Sequence, residues 1–187
     1  MAPLEVRGGE DLWLDPAPCK AFFRALGHVF RNAVVHGIES PEVRRATGKP
    51  AAGRVFCRVD CQRGRIGLSI ADDGAGLDLE SLRERAVTAG ICSAAAAEQL
   101  SEAELARLIF RDRLSVQEGA NALSGRSVGL AAVLAETAAL GGQVSVKSVA
   151  GQGTEFVFDL PEPRCAASAI LFAWRHPPGK AAEQIAQ

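Results

Sequence analysis

Apolar positions along this chain follow two periods, and each change of period marks an element boundary. From Pro18 to Gly37, Phe22, Leu26, Val29 and Ala33 recur at steps of three and four, which predicts an amphipathic helix with one core-facing stripe. Arg54 to Cys61 and Arg65 to Ala71 alternate instead, and the Arg63-Gly64 break between them predicts a β-hairpin. Gln143 to Val149 and Thr154 to Leu160 predict a second hairpin around Ala150-Gly151-Gln152-Gly153. Shorter signals fill the gaps. Leu4 to Arg7 reads as an edge strand and Trp13-Leu14 as another short strand. Glu39 to Gly48 reads as a short helix with Pro41 in its first turn. Asp78 caps a helix over 79–89 that Gly90 closes, and Ser101 with Glu104 forms a capping box for a helix ending near Phe110. A last helix runs from the Gly125 region to Leu140 and stops at Gly141-Gly142, while Gly37 reads as a left-handed cap.

The sum is roughly four helices and five to seven strands, the strands mostly in local hairpins. Hairpins pair antiparallel, and helices alternating with them cover one face. The fold class is therefore α/β (α+β): a two-layer sandwich with a mixed, mostly antiparallel sheet, rather than a doubly wound parallel one. Residues 1–163 form the domain, and 164–187 form a tail with one candidate strand at Ala169 to Trp174. Within the domain, Arg111 to Ser124 has no period and several charges, which makes about 91–124 a lid.

Composition narrows the picture further. At 187 residues, 48% hydrophobic and 23% charged, the chain has material for one sizeable core. A net charge of -1 gives no general attraction to nucleic acid or an acidic membrane. No signal peptide is evident, and Ala166 to Trp174 is too short an apolar run to span a bilayer. The five cysteines lack metal-finger spacing, and Cys57 and Cys61 share a strand face with Val55 and Val59, which predicts buried, reduced thiols in a cytoplasmic protein.

Three polar stretches interrupt the scaffold. His28, Asn32 and His36 are each four apart and stack in one row beside the apolar stripe, a row that can ligate a metal or move a proton. Asp72-Asp73-Gly74-Ala75-Gly76 follows the apolar run Ile66 to Ala71, setting a carboxylate at the mouth of a glycine turn that lets a ligand approach the backbone. Asp73 reads as its solvated neighbour and Lys49 as a turn residue. Gly125-Arg126-Ser127-Val128-Gly129 opens a helix, where free N–H groups favour phosphate. The same five residues fit Gly-x-Ser-x-Gly, the nucleophile elbow of α/β-hydrolases. That elbow follows a buried strand, which 115–124 is not, and only His176 stands downstream as its histidine, so the elbow is rejected.

Together these stretches resemble the nucleotide-binding domain of histidine kinases, in the group that includes gyrase, the Hsp90 chaperones and MutL. The boxes stand in order: His-x-x-x-Asn at 28–32, Asp-x-Gly-x-Gly at 72–76, the glycine box at 125–129 and Gly-Thr-x-Phe at 153–156. His-Gly-Ile-Glu-Ser-Pro-Glu-x-Arg at 36–44 and Gly-Lys-Pro at 48–50 further resemble an insert of the chemotaxis-type (CheA-like) kinases. The resemblance covers about residues 3–161 and implies a Bergerat-type ATP-binding fold.

It also implies roles. Asn32 holds Mg²⁺ between the phosphates, Asp72 accepts from the adenine amino group, and Thr154 supports the adenine. Gly74, Gly76, Gly125, Ser127 and Gly129 complete the ATP site. His28 orients or deprotonates the attacking group, and His36 lies near the phosphates or lines the pocket. The implied reaction moves the ATP γ-phosphoryl group to a histidine on another domain, a histidine-phosphotransfer or dimerisation domain, for hand-off to a response regulator. The chain departs from the pattern at Ser127, where the family has glycine: if positive φ is required there, serine costs about 1 kcal/mol or more, and otherwise its hydroxyl can contact a phosphate. Val35 replaces an acidic residue, and Asp112-Arg113-Leu114-Ser115-Val116 replaces the usual lid phrase. Two alternatives remain: a degenerate nucleotide-binding interaction module, which Ser127 and the altered lid motivate, and a stand-alone serine kinase of the anti-sigma-factor type, against which the insert at 36–50 argues.

Overall fold

The computed structural model describes residues 4–10, 12, 14, 16–111 and 129–162. Five strands, β1 (Glu5–Arg7), β2 (Val55–Gln62), β3 (Arg65–Asp72), β4 (Gln143–Val149) and β5 (Gly153–Pro161), form one sheet in the order β1-β2-β3-β5-β4. β1 pairs parallel with β2 at the edge, and the other three pairings are antiparallel. Both predicted hairpins are present. The first turns through Arg63 and Gly64, both at positive φ, as a two-residue turn between twisted strands requires.

Period-two alternation sorts the sheet into two faces. Ile66, Leu68 and Ile70 of β3 and Phe156, Phe158 and Leu160 of β5 are buried. Against them lies α1 (Pro16–Asn32), with Phe22, Leu26 and Val29 buried and Ala33 just beyond its end, the predicted stripe. Phe22 meets Phe158 edge-on with ring centroids 5.5 Å apart, a favoured aromatic geometry. Leu130 and Val133 of α6 (Leu130–Ala139) and Leu82 of α3 (Leu79–Thr88) complete the helical layer. The two-layer sandwich stands as expected. Among the described residues, no helix is long and apolar enough to cross a membrane.

Local signals act as read at most boundaries. Asp78 caps α3, the Ser101–Glu104 box opens α5 (Glu102–Arg107) with both reciprocal bonds made, and α2 (Pro41–Ala46) starts with Pro41 in its first turn behind a Ser40 cap that the sequence reading did not name. Four details differ. α1 does not end at a left-handed Gly37: residues Ala33–Gly37 form a widened π turn, closed by the Ile38 N–H donating to Ala33 O at 2.9 Å. Leu14 lies outside any strand, and Trp13 lies outside the described residues. Cys61 is exposed and Cys57 half-buried, because β2 lies near the sheet edge with only short β1 beyond it. The alanine run forms a helix of its own, α4 (Ala94–Glu98), capped by Ser93.

Of the stretch read as a lid, Ile91 to Arg111 therefore includes α4, α5 and a 3-10 turn at Leu108–Phe110, and it buries Leu105, Ile109 and Phe110. Residues 112–124, Gly125, Ser127 and the tail 164–187 lie outside the described residues.

Candidate nucleotide site

The site grows out of the alternation of β3 and β5. Ala71 pairs with Glu155, so the next inward positions on the two strands are Asp72 and Thr154. Both continue the apolar rows Ile66-Leu68-Ile70 and Leu160-Phe158-Phe156 and are as buried as those rows, 8% and 7% exposed. A carboxylate thus stands where the period calls for an apolar side chain. Burying an ionised carboxyl is costly unless bonds compensate. The Gly74 N–H donates to Asp72 Oδ1 at 2.9 Å. Burial pushes the Asp72 carboxyl above its ordinary range, and the negative charges of Asp73 and Glu39 push the same way, against the backbone donors at Gly74 and Thr154.

The turn after Asp72 is bound to the π turn at the end of the first helix. Ala75 N–H donates to Gly37 O at 2.8 Å, and a Cβ on Gly74 would collide with that carbonyl. A Cβ on Gly37 would meet the Asp72 carboxylate at 3.2 Å. The partner that approaches Gly74 is thus the chain's own histidine-bearing stretch.

Around Asp72 opens a pocket of about 350 Å³. Its walls are apolar, from Ala33, Leu77, Leu82, Ile109, Leu130 and Phe156, and its polar groups are Asn32, His36, Asp72, Thr154, Asp78, Ser81 and Arg85. The size and mix match small-molecule sites, which are mostly apolar with a few placed polar groups. Of the residues expected from sequence, Asn32, His36, Asp72, Gly76, Gly129 and Thr154 all line it. Gly74 is buried behind Asp72, and His28 is half-buried one turn earlier on α1, outside the lining. The row of three is straight only from His28 to Asn32, since the π turn displaces His36 from the four-residue step. A larger apolar cavity of about 370 Å³ lies under α1 around Phe22, Leu26 and Leu160, away from these polar groups.

Several supporting residues were not expected. Ser148 follows Val144 and Val146 in the inward row of β4, and its Oγ lies 3.2 Å from Thr154 Oγ1. The same oxygen accepts from Leu77 N–H at 2.7 Å, so one hydroxyl joins the β5 threonine to the turn after Gly76. Asp73, read as solvated, instead accepts from Arg44 Nη2 at 2.9 Å and from Arg54 N–H at 2.8 Å. Lys49, read as a turn residue, donates to Glu39 at 2.7 Å and to the carbonyls of Asp73 and Gly74 at 3.0 and 2.8 Å. The apolar run before it flagged Asp72, but Arg44 and Lys49 lie 29 and 24 residues from Asp73 in sequence and carry no local signal.

Among the described residues, no three of His, Cys, Asp and Glu gather as a metal site. A pocket with one buried acceptor at its floor and polar groups at its rim suits a planar base with an exocyclic amine, its polar substituents reaching the rim.

The chain is similar to several known proteins. The chain is 39% identical over 147 residues to the gliding motility regulatory protein of Myxococcus xanthus, covering 79% of this chain and 19% of that protein. It is 38% identical over 146 residues to the chemotaxis protein CheA of Bacillus subtilis, covering 78% and 22%. The chain thus spans about a fifth of the length of these relatives. A solved histidine kinase domain from the Erythrobacter litoralis EL346 blue-light activated histidine kinase aligns with a TM-score of 0.48 at 16% identity, covering 84% of this chain and 53% of that one. The family described as histidine kinase-, DNA gyrase B-, and HSP90-like ATPase matches residues 22–164, which carry the pocket and most of the sheet, and the chain belongs to that family.

Proposed function

We propose that this chain is the ATP-binding, kinase-core part of a chemotaxis-type histidine kinase. It binds Mg-ATP and presents the γ-phosphoryl group to a histidine on a separate phosphotransfer or dimerisation domain, from which a response regulator takes it. The single observation that carries the reading is the buried Asp72 carboxylate at the floor of an apolar pocket, with Asn32, His36 and Gly129 at the same pocket. Kinship at 38–39% identity with a chemotaxis protein and a gliding regulator supports the chemotaxis-type assignment.

Each residue has a defined task. Asp72 accepts the adenine amino hydrogen, and Thr154, its hydroxyl held by Ser148, flanks the base from β5. Gly76 holds a positive φ at the pocket wall, where a Cβ would strike Val149 O. Asn32 supplies one hard oxygen to Mg²⁺, enough for an ion that keeps several waters and takes its remaining ligands from phosphates. Gly129 is the N-cap of α6 and offers its N–H to phosphate; the resemblance assigns the same role to Gly125 and Ser127, which lie outside the described residues. His28 sits one turn from Asn32, where it can orient or deprotonate the acceptor. ATP itself supplies the transferable phosphoryl group. The chain's share of catalysis is positioning and charge neutralisation. The site works in the cytoplasm, where ATP and the regulator are found.

The test is phosphotransfer from labelled ATP to a supplied chemotaxis-type histidine domain. Label on the acceptor histidine, lost in Asp72→Asn and Asn32→Ala, is the expected result. ATP binding with no transfer to any such acceptor would make the chain a nucleotide-binding interaction module instead.

A further inference from the structure

Arg44 is a fully buried cation outside the pocket lining, 0% exposed and the largest of the fully buried side chains. It takes no part in the hydrophobic cluster. Its guanidinium donates to four acceptors: Pro50 O at 2.7 Å, Glu39 Oε2 at 3.0 Å, Asp73 O at 3.1 Å and Asp73 Oδ2 at 2.9 Å. Glu39 also accepts from Lys49, whose other two bonds grip the Asp73 and Gly74 carbonyls. Bonds from Lys49 and Arg44 outweigh burial and hold Glu39 ionised, below its ordinary range. The segment between the two sequence boxes therefore closes on the backbone of residues 73 and 74 from outside the sheet.

That clamp faces the base-recognition group from behind. Asp73 follows the last residue of β3, so holding its side chain and carbonyl fixes the backbone at the end of the strand that carries Asp72. Lys49 holds the Gly74 carbonyl while the Gly74 N–H holds Asp72 Oδ1. Buried ion networks contribute little net stability against an apolar replacement, and their best-attested use is to select one arrangement. The planar fork of arginine, which can hold two acceptors of one residue at once, suits that use better than a lysine.

We infer that Arg44 is a positioning residue for base recognition: through Asp73, and together with Lys49, it sets the orientation of the Asp72 carboxylate and thereby the preference for an adenine base. The inference rests on the nucleotide reading of the pocket.

The experiment uses the full chain and two conservative variants, Arg44→Lys and Asp73→Asn, each also made in an Asp72→Asn background. ATP and GTP affinities are measured without Mg²⁺ by competition with a fluorescent ATP analogue, alongside thermal unfolding. GTP carries a carbonyl where adenine carries its amine. Each single variant is expected to unfold cooperatively and to bind ATP about tenfold more weakly with GTP binding nearly unchanged, so that the ATP/GTP ratio collapses. In the Asp72→Asn background the same changes are expected to alter ATP affinity by about twofold or less. Equal losses for ATP and GTP, or a loss undiminished in the Asp72→Asn background, overturn the positioning role and leave the nucleotide reading intact. A wild-type chain that does not prefer ATP, or an Asp72→Asn chain that keeps the preference, overturns both.

Discussion

The pocket has a floor and a rim, and they are built differently. The floor, Asp72 and Thr154, comes from two adjacent strands and is cross-linked on every side: by Gly74 N–H, by the Ser148 hydroxyl and, through Asp73, by Arg44 and Lys49. The rim, Asn32 and His36, comes from the end of a helix and its widened turn, where Asn32 makes no side-chain capping bond and His36 is exposed. A group that reads a base edge must be held in one pose. Groups that meet a hydrated cation and phosphates can adjust to them, because Mg²⁺ keeps most of its own shell. On the proposed nucleotide reading, the difference means that affinity for the base is built into the fold, while the phosphate end is completed by the ligand.

The largest expected effect breaks the floor's support. Arg44→Met leaves Glu39 and Asp73 without their buried partner and should cost about 3–5 kcal/mol of stability in denaturant unfolding. A smaller and more selective effect is expected at the floor itself. Asp72→Asn removes a charged acceptor from the base and should weaken ATP by about ten- to a hundredfold with little loss of fold, since a bond to a charged group is worth about 1.5–3 kcal/mol. At the rim the sign of the stability change reverses. Asn32→Ala should weaken Mg-ATP while stabilising the unliganded chain by about 0.5 kcal/mol, because alanine is the better helix former. If Asn32→Ala destabilises instead, the rim is tied into the fold as firmly as the floor.

The smallest effect sharpens the comparison through pH. Asp72 has its carboxyl raised in the folded state by burial first and by Asp73 and Glu39 after it. The unfolded chain therefore loses this proton at lower pH than the folded one. The folded state binds more protons between the two values, so the group's contribution to stability falls as pH rises through that window. Asp72→Asn removes this component, so the stability of the variant relative to wild type should improve from about pH 4 upward. A difference that is flat with pH would mean that the carboxyl is not desolvated.

What the sequence made legible follows the range of the interactions. The stripe Phe22-Leu26-Val29-Ala33, both hairpins and the caps at Ser101 and Asp78 depend on neighbours within a turn, and each is present as read. Asp72 was visible as a carboxylate at a glycine turn after an apolar run, and Thr154 only through the Gly-Thr-x-Phe box of the family resemblance. Arg44, Lys49 and Asp73 were misread or missed because their partners are set by how the segment after the π turn folds back, which no spacing encodes. Ser148 was hidden for the opposite reason, since a serine ending a strand is ordinary until the register brings it to Thr154. The π turn itself escaped because an i to i+4 row was assumed to continue unbroken through Asn32.

One measurement bears most directly on the division into floor and rim: calorimetric titration of ATP with and without Mg²⁺ on wild type, Asp72→Asn and Asn32→Ala. The account predicts that Asp72→Asn weakens ATP by the same factor in both conditions, whereas Asn32→Ala weakens it only when Mg²⁺ is present. Wild-type binding of ATP unaffected by Asp72→Asn would contradict it outright.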